Sequence, residues 1–217
     1  MIIQQATAPI RTLKAAQSIA GTLGTPSKMP GKAYGIPASA CITGAKLHSV
    51  PNSVCSDCYA MKGQYPAPSV QLGQSRRLAG LDHPQWVDAM IYMIKHAGEQ
   101  YFRWHDSGDL QSVQHLLNIV TVAEQCSDVR FWLPTREKKI VRTVLSIIGQ
   151  FPKNLVIRVS AAMIDGDAPA GFDHVSLVHE HAPAKAQACP APQQNGKCGD
   201  CRACWSRDVP AVSYHKH

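Results

Sequence analysis

Residues 101–149 read YFRWHDSGDLQSVQHLLNIVTVAEQCSDVRFWLPTREKKIVRTVLSIIG, and they decide the fold because strand and helix patterns alternate along them. The apolar spacing predicts strands at residues 101–104 and 129–133 and helices at residues 113–120 and 140–148. We expect Asp109 to cap the first helix, Thr135 to open the second and Gly149 to end it. Alternating strands and helices predict right-handed βαβ units and a parallel sheet.

The alternation continues on both sides of this stretch. It predicts helices at residues 12–23, ended by Gly24, and at 82–98, capped by Asp82, and further strands at 155–159 and 175–178. A complete eight-unit barrel takes about 250 residues, whereas this chain has 217 and spends many of them on cysteine-bearing loops. The expected fold class is therefore α/β, an incomplete parallel (β/α) barrel or open parallel sheet with long cysteine-bearing loops.

Length and composition predict one domain over residues 1–217. We divide it into three segments: a cysteine-rich loop region at 30–69, a βα core at 81–180 and a cysteine-rich C-terminal segment at 185–206. No apolar run reaches the roughly 18–20 residues of a membrane helix. The first residues, 1–12, lack a basic start followed by a hydrophobic stretch. The sequence thus predicts a protein without a membrane span, located in the cytoplasm.

The net charge of +7, from 22 basic and 15 acidic residues, favours anionic partners at first sight. Metal-bound thiolates would lower that charge to about +4 if the two cysteine groups each held an iron–sulfur cubane. Charge alone is then a weak argument for nucleic-acid binding, although it does not exclude it. The sequence contains no phosphate loop, dinucleotide glycine fingerprint or zinc-protease motif.

Seven of the eight cysteines fall into two groups, which in a cytoplasmic protein indicates metal ligands rather than disulfides. The C-terminal group has the spacing Cys-x8-Cys-x2-Cys-x2-Cys and comprises Cys189, Cys198, Cys201 and Cys204. Four thiolates in so short a segment can hold one zinc ion or an iron–sulfur cluster. Zinc ribbons more often have two separated Cys-x2-Cys pairs, so this compact run favours iron–sulfur. Cys126 stands alone and is expected to be a small buried hydrophobic residue.

The first group, Cys41, Cys55 and Cys58, supplies only three thiolates, which leaves a metal position open to water or substrate. His48 lies between them and is either a fourth ligand or an ordinary loop histidine. One site that shares cysteines from both groups is a further alternative. His179 and His181 alternate along one predicted strand and are a weaker metal-ligand pair.

Residues that follow the predicted strands are expected to form the site, because the carboxyl ends of parallel strands meet at one edge of a sheet. Ser107, Gly108 and Asp109 follow one strand, and Arg136 follows the next. Arg136 can meet a carboxylate or phosphate with its planar guanidinium, or lie on a solvated helix face. Arg103 and Arg158 lie within strands and are expected to pair with an acid or a ligand inside the barrel.

A three-cysteine loop that ends in Cys-x2-Cys and precedes βα units resembles the radical S-adenosylmethionine (radical SAM) superfamily. The resemblance implies a [4Fe–4S] cluster on the first cysteine group, with one iron binding the amino and carboxylate groups of S-adenosylmethionine. Ser107, Gly108 and Asp109 take the place of the Gly-Gly-Glu segment that often binds the methionine amino group there. The first cysteine gap, thirteen residues, is longer than that of the superfamily, and Asp57 stands where an aromatic residue is usual.

Four motifs between about residues 30 and 206 are similar to a bacteriophage and prophage family called gene product 88. They are Cys55–Ala60, Arg103–Leu110, Trp132–Glu137 and Cys198–Trp205. This resemblance implies a phage or prophage protein but carries no settled activity with it.

Three functions stay open from the sequence. The first is an iron–sulfur protein of radical-SAM-like fold with one or two [4Fe–4S] clusters and S-adenosylmethionine-dependent radical chemistry. The second is a non-enzymatic redox or structural iron–sulfur protein; for either of these two, an electron-donor protein is the expected partner. The third is a zinc-stabilised module that binds nucleic acid. Whether the protein is an enzyme is not decided by these residues.

Overall fold

The computed structural model describes residues 8–181 and 185–216. The expectation for an export signal, at residues 1–12, therefore lies largely outside the described residues. The helices are α1 (Leu13–Ala20), α2 (Ile42–His48), α3 (Pro68–Gly80), α4 (Trp86–Ala97), α5 (Val113–Gln125) and α6 (Lys138–Ile148). The strands are β1 (Lys32–Tyr34), β2 (Tyr101–Trp104), β3 (Arg130–Thr135), β4 (Leu155–Ser160), β5 (Val175–His179), β6 (Gln187–Ala188) and β7 (Ala211–His215).

The seven strands form a single sheet in the order β1-β2-β3-β4-β5-β7-β6, and every pair is parallel. This confirms the α/β class and the parallel sheet. Within the described part of the chain no hydrogen bonds join β1 to β6, so the ladder is not closed. Strand order follows chain order except at β6, which lies outside β7 at the edge.

One face of the sheet packs against the helices. Phe102, Trp104, Phe131 and Leu133 alternate along β2 and β3 and lie in the main hydrophobic core. In this layer the Trp86 ring of α4 packs edge-to-face against the Tyr34 ring of β1, with the ring centroids 5.8 Å apart. The alternating burial of β2 is thus explained by one face that lies under helices, whereas β3 is buried on both faces because Trp132 packs in a second hydrophobic cluster.

The opposite face is concave and is covered by the C-terminal cysteine segment. Trp132 on β3 and Tyr214 on β7 stack with their ring centroids 6.3 Å apart. Three strand spacings separate β3 from β7, about 14 Å in a flat sheet, so the sheet must curl for these rings to meet. Trp205 crosses the same face, and its indole N–H donates to the Phe102 carbonyl at 2.9 Å.

The predicted strands are confirmed, with small extensions at their ends, and so are the helix ends at Gly98 and Gly149, where φ is +65° and +77°. Three predicted helix starts and one end are wrong. Gln85 rather than Asp82 precedes α4, Ser112 rather than Asp109 caps α5, and α6 begins after Glu137 because Thr135 belongs to β3. Helix α1 ends at Gly21, not Gly24.

The region at 30–69 is less irregular than expected, because it contains β1, all of α2 and the start of α3. Helix α2 spans only seven residues, too few for a clear repeat. Helix α3 turns Gln74, Arg77 and Gly80 inward, so its buried face lacks the apolar period that reveals a helix. No helix within residues 8–181 and 185–216 is long and apolar enough to span a bilayer.

Candidate functional site

The first cysteine group lies beyond the carboxyl ends of three neighbouring strands. Cys41 follows β1, Asp109 follows β2 and Arg136 follows β3. These are adjacent strands of one parallel sheet, so the loops that leave them converge at one edge. The structure therefore brings the predicted cysteine group and two of the predicted strand-end residues together.

The three thiols of this group are close enough to interact. The pKa of Cys41 is raised to about 12, mainly by burial and also by the charges of Asp109, Cys58 and Cys55. Burial also raises the pKa of Cys55, while the Arg136 guanidinium lowers it. Arg136 is thus the cation that faces the group.

Gly44, in helix α2, leaves room between two of the sulfur atoms. A methyl group built on Gly44 would lie 3.5 Å from the Cys41 sulfur and 3.6 Å from the Cys55 sulfur. It would also lie only 3.0 Å from the Cys41 β-carbon. The absence of a side chain here keeps a space that both thiols border.

Helix α2 is tied to the loop that carries Arg136. The Thr43 backbone N–H and hydroxyl donate to the two Glu137 carboxylate oxygens at 2.8 and 3.0 Å. Glu137 is buried and its own N–H donates to the Thr135 hydroxyl at 3.0 Å. These bonds hold Cys41, at the start of α2, beside Arg136.

The loop before Cys55 is held from the other side, by the segment that follows β4. The Val54 N–H donates to the Ala162 carbonyl at 2.8 Å, and the Ile164 N–H donates to the Asn52 carbonyl at 3.0 Å. His48 contributes its Nδ1, 3.0 Å from the Cys55 carbonyl oxygen. The long first cysteine gap is therefore an ordered segment that spans the carboxyl ends of β1 to β4.

Asp109 is buried and its carboxylate is fully engaged. It accepts hydrogen bonds from the Thr135 hydroxyl at 2.6 Å, the Arg136 N–H at 2.8 Å and the Leu110 N–H at 2.7 Å. Burial raises the pKa of Asp109 to about 6, although these three hydrogen bonds oppose the rise. Asp109 thus joins the loops after β2 and β3 instead of capping α5.

Ser107 and Gly108 hold the same turn against the residue after β1. The Ser107 hydroxyl donates to the Ile36 carbonyl at 2.7 Å and accepts from the Gln74 amide at 2.7 Å. Gly108 has φ of +75°, and an added methyl would lie 2.3 Å from the Ile36 side chain. The prediction that Ser107, Gly108, Asp109 and Arg136 bind S-adenosylmethionine stays a prediction.

The second cysteine group forms a separate site on the concave face. Burial raises the pKa of Cys198, and the charges of Cys189 and Cys201 raise it further. Burial raises the pKa of Cys204 to about 11, and its nearest partner is the Tyr214 hydroxyl at 3.2 Å. Each cysteine whose pKa is raised by the charge of another cysteine is affected by members of its own group.

The backbone around Cys204 is held by Arg158, which is fully buried. Its guanidinium donates to the carbonyls of Ala203, Ser206 and Val209 at 2.8 to 2.9 Å and to that of Cys204 at 3.1 Å. Arg158 was expected to pair with an acid or ligand, and the structure instead surrounds it with carbonyl oxygens. Its positive charge remains next to the Cys204 thiol.

Arg103 lies between the two cysteine groups. Its Nη2 donates to the Tyr59 hydroxyl at 3.1 Å, and Tyr59 directly follows Cys58. Its guanidinium also lies 4.4 Å from the centre of the Trp132 ring, and its charge acts to lower the pKa of Cys198. Among the described residues neither Arg103 nor Arg158 forms an ion pair with a carboxylate.

The other predicted candidates have ordinary partners. His179 lies 2.6 Å from the Ser213 hydroxyl, and His181 lies beyond the end of β5, 2.9 Å from an Asp165 oxygen. Cys126 is buried in the helical core, as expected. In residues 8–181 and 185–216, no three His, Cys, Asp or Glu side chains are arranged closely enough to hold one metal ion.

Several residues that shape the site were not predicted. Gly44 and Glu137 act through loop packing, and Tyr214 lies on a strand that the sequence analysis did not recognise. The alternation in residues 211–215, AVSYH, is the signal that could have revealed that strand. No comparable pattern marks Glu137, because its partner Thr43 is 94 residues away in the chain.

Comparison with known proteins gives one match. The model of a family described as Gene product 88 matches residues 3–207. No curated protein and no solved structure matches the chain. These comparisons therefore give no support to the predicted resemblance to the radical SAM superfamily.

Proposed function

Because that match covers nearly the whole chain, the protein belongs to the gene product 88 family, and we propose that it is an iron–sulfur protein with two cysteine-ligated centres. The observation that carries the proposal is the gathering of seven of the eight cysteines into two groups, in which Cys55 and Cys204 are buried and the other five are half-buried. Free thiols gain nothing from such clustering, since each raises the pKa of its neighbours. Bound metal reverses that cost because it stabilises the thiolates.

The first group borders an open position. The sulfurs of Cys41 and Cys55 lie 3.5 and 3.6 Å from the place that a side chain at Gly44 would occupy. Iron–sulfur clusters are held by cysteine thiolates of this kind. Because the described cysteines are not close enough together to hold a single metal ion, binding of a cluster would require their side chains to move closer together.

The second group fits a centre of negative charge. Four thiolates give an iron–sulfur centre a net negative charge, and a buried charge requires compensation. Arg158 and Arg103 supply two positive charges at this group, and neither forms an ion pair with a carboxylate within the described residues, although the Asp106 charge also acts on Arg103. These cations would offset part of the negative charge expected of the centre. An iron–sulfur centre would supply one-electron transfer here, with a reduced electron-donor protein as the expected partner.

The difference between the two cysteine groups favours a second candidate function, the binding of S-adenosylmethionine at the first group. The first group has three cysteines, and Arg136 faces it with a buried Nε that has no hydrogen-bond partner. A ligand with a carboxylate, such as S-adenosylmethionine, could meet that guanidinium beside the open metal position. The curled sheet supports the accompanying proposal of an incomplete (β/α) barrel, in which both groups lie at the mouth or on the concave side.

The proposal is tested by removing each group separately. Protein reconstituted without oxygen would be prepared as wild type, as Cys41→Ser/Cys55→Ser and as Cys201→Ser/Cys204→Ser. We expect each double variant to lose about half of the bound iron and sulfide. Cys126→Ala is the matched control, because this buried cysteine belongs to neither group, and it should keep the full content. Equal iron in all four proteins would refute the proposal.

A further inference from the structure

A cavity of about 330 Å³ lies between the end of α3 and the start of α5. Leu78 and Leu81 give it apolar surface, and Gln111, Gln114 and Asn118 give it side-chain amides. Its volume is at the lower end of the range for small-molecule sites. No cysteine of either group is among the described residues that line it, so it is a feature separate from the candidate site above.

His115 is buried, and its imidazole lines this cavity. The Trp86 and His105 rings pack edge-to-face against it, with ring centroids 5.7 and 5.3 Å away, and they fix its orientation. The Gln111 backbone N–H donates to His115 Nδ1 at 3.3 Å, so Nδ1 carries the lone pair and the uncharged ring carries its proton on Nε2. Burial lowers the pKa of His115 to about 4, which keeps the ring uncharged near neutral pH.

The Nε2–H group of His115 is a buried donor that has no hydrogen-bond partner among the described residues. Buried donors in folded proteins are nearly always paired with protein, with water or with a ligand. Because the His115 ring lines the cavity, a molecule that brings an acceptor into the cavity can pair this donor. The cavity therefore has a polar group that favours a ligand with an exposed oxygen.

The walls of the cavity select against negative charge. Asp82 is the only charged side chain among the described residues that line the cavity, and it forms no ion pair with any of them. The Gln114 amide donates to the Asn118 Oδ1 at 2.8 Å, which leaves the Gln114 carbonyl oxygen as an acceptor and the Asn118 amide as a donor. The walls thus combine a carboxylate with mixed amide donors and acceptors.

We propose that this cavity binds the vicinal hydroxyl groups of a neutral sugar ring, either a free monosaccharide or the ribose of a nucleoside. A hydroxyl both donates and accepts, so it can donate to the Asp82 carboxylate, as ribose does in dinucleotide sites. A sugar oxygen accepts from His115 Nε2, and the C–H face of the ring packs on Leu78 and Leu81. This site is additional to the proposed iron–sulfur function and does not depend on it.

Titration calorimetry of the full chain, purified without oxygen, tests the proposal with four probes: D-ribose, D-glucose, adenosine and adenosine 5′-monophosphate. We expect a neutral probe to bind with millimolar or tighter affinity. Adenosine 5′-monophosphate should bind more weakly than adenosine, because its phosphate meets Asp82 and no cation. Tighter binding of adenosine than of either free sugar would identify a nucleoside as the ligand, and the reverse order would identify a monosaccharide.

Two variants place the binding in the cavity. Asp82→Asn and His115→Phe should each weaken the affinity about five- to tenfold, as expected for the loss of one hydrogen bond. Asp128→Asn is the matched control, because Asp128 is an exposed carboxylate that does not line the cavity, and it should keep the wild-type affinity. Asp82 is itself exposed, so Asp82→Asn supplies the result if His115→Phe does not fold.

The nitrogen chemical shift of His115 Nε2 should also change when the probe is added to wild-type protein. Absence of binding by all three neutral probes would overturn the inference, and so would equal affinity in wild type, Asp82→Asn and His115→Phe. Adenosine 5′-monophosphate that binds as tightly as adenosine would contradict the assignment of a neutral ligand. Iron and sulfide content is measured separately, so failure of this site and failure of the two-centre function are distinguishable.

Discussion

Replacing Arg158 with glutamine should destabilise the protein strongly, because this buried guanidinium is the support of the second cysteine loop. Four carbonyl oxygens accept from it at 2.8 to 3.1 Å, and two more, those of Val175 and Pro210, at 3.4 Å. A glutamine amide can reach one or two of these acceptors and leaves the others buried without a donor.

The expected cost follows from that count. Removal of one partner from a buried charged network typically costs about 3–5 kcal/mol, and each orphaned carbonyl costs about 1–3 kcal/mol in isolation. We therefore expect Arg158→Gln to lower the free energy of unfolding by about 4 kcal/mol. That is a large share of the roughly 5–15 kcal/mol available to a folded domain.

Urea unfolding of protein purified without oxygen measures this loss directly. Arg207→Gln is the control, because Arg207 is exposed and, among the residues that the structure describes, its side chain donates only to the Pro152 carbonyl at 3.3 Å, so its change should stay within about 0.5 kcal/mol. Arg158→Lys, which keeps the charge without the planar fork, should fall between the two. A loss below about 1 kcal/mol in Arg158→Gln would refute the assignment of Arg158 as the support of this loop.

Three further predictions concern the first site and the core. Gly44→Ala should reduce iron loading at the first centre, because the added methyl fills the space beside the sulfurs. Gly73→Ala, whose added methyl meets only an arginine side chain at 3.7 Å, gains the same helix propensity of about 1 kcal/mol and should leave iron loading unchanged. Unchanged iron content in Gly44→Ala would count against the site. Burial lowers the pKa of His115 to about 4, so protonation favours the unfolded chain, and the contribution of His115 to stability should fall by up to about 3 kcal/mol as the pH drops from about 6.5 to 4. Asp109, whose raised pKa of about 6 acts in the opposite direction over this range, is present in both proteins, so the difference in unfolding free energy between wild type and His115→Gln isolates the histidine; a difference that does not change with pH would contradict the assignment. Gly108→Ala should cost at least about 2 kcal/mol, since its added methyl would lie 2.8 Å from a backbone oxygen at positive φ, while Gly98→Ala, with open space around it, should cost about 1 kcal/mol in the same unfolding assay.

The sequence was sufficient for the parallel sheet because its central strands are short, mostly apolar runs that lie between well-separated helices. The sequence did not predict elements whose buried face carries polar side chains. Helix α3 buries Gln74 and Arg77, and such residues carry no apolar period. The sequence also did not predict the curvature of the sheet, because the stacking of Trp132 on Tyr214 joins residues that are far apart in the chain.

The site was predictable in its parts but not in its connections. Cysteine spacing predicted both groups and strand ends predicted Asp109 and Arg136, and the roles assigned to these residues stay predictions. The helix-cap pattern misassigned Asp109, because a carboxylate before a helix can equally accept hydrogen bonds from a neighbouring loop, as it does here from Thr135 and Arg136. Arg103 was visible only as a strand residue, and its place between the groups emerges from tertiary contacts.

The most direct test of the two-centre proposal is the metal content of wild-type protein purified without oxygen, measured together with acid-labile sulfide, zinc and the visible absorption spectrum. We predict iron and sulfide in near-equal amounts, about eight of each per chain for two [4Fe–4S] centres, with a broad absorption that bleaches on reduction. Zinc without sulfide, and no visible absorption, would contradict the account and leave the cysteines as structural ligands.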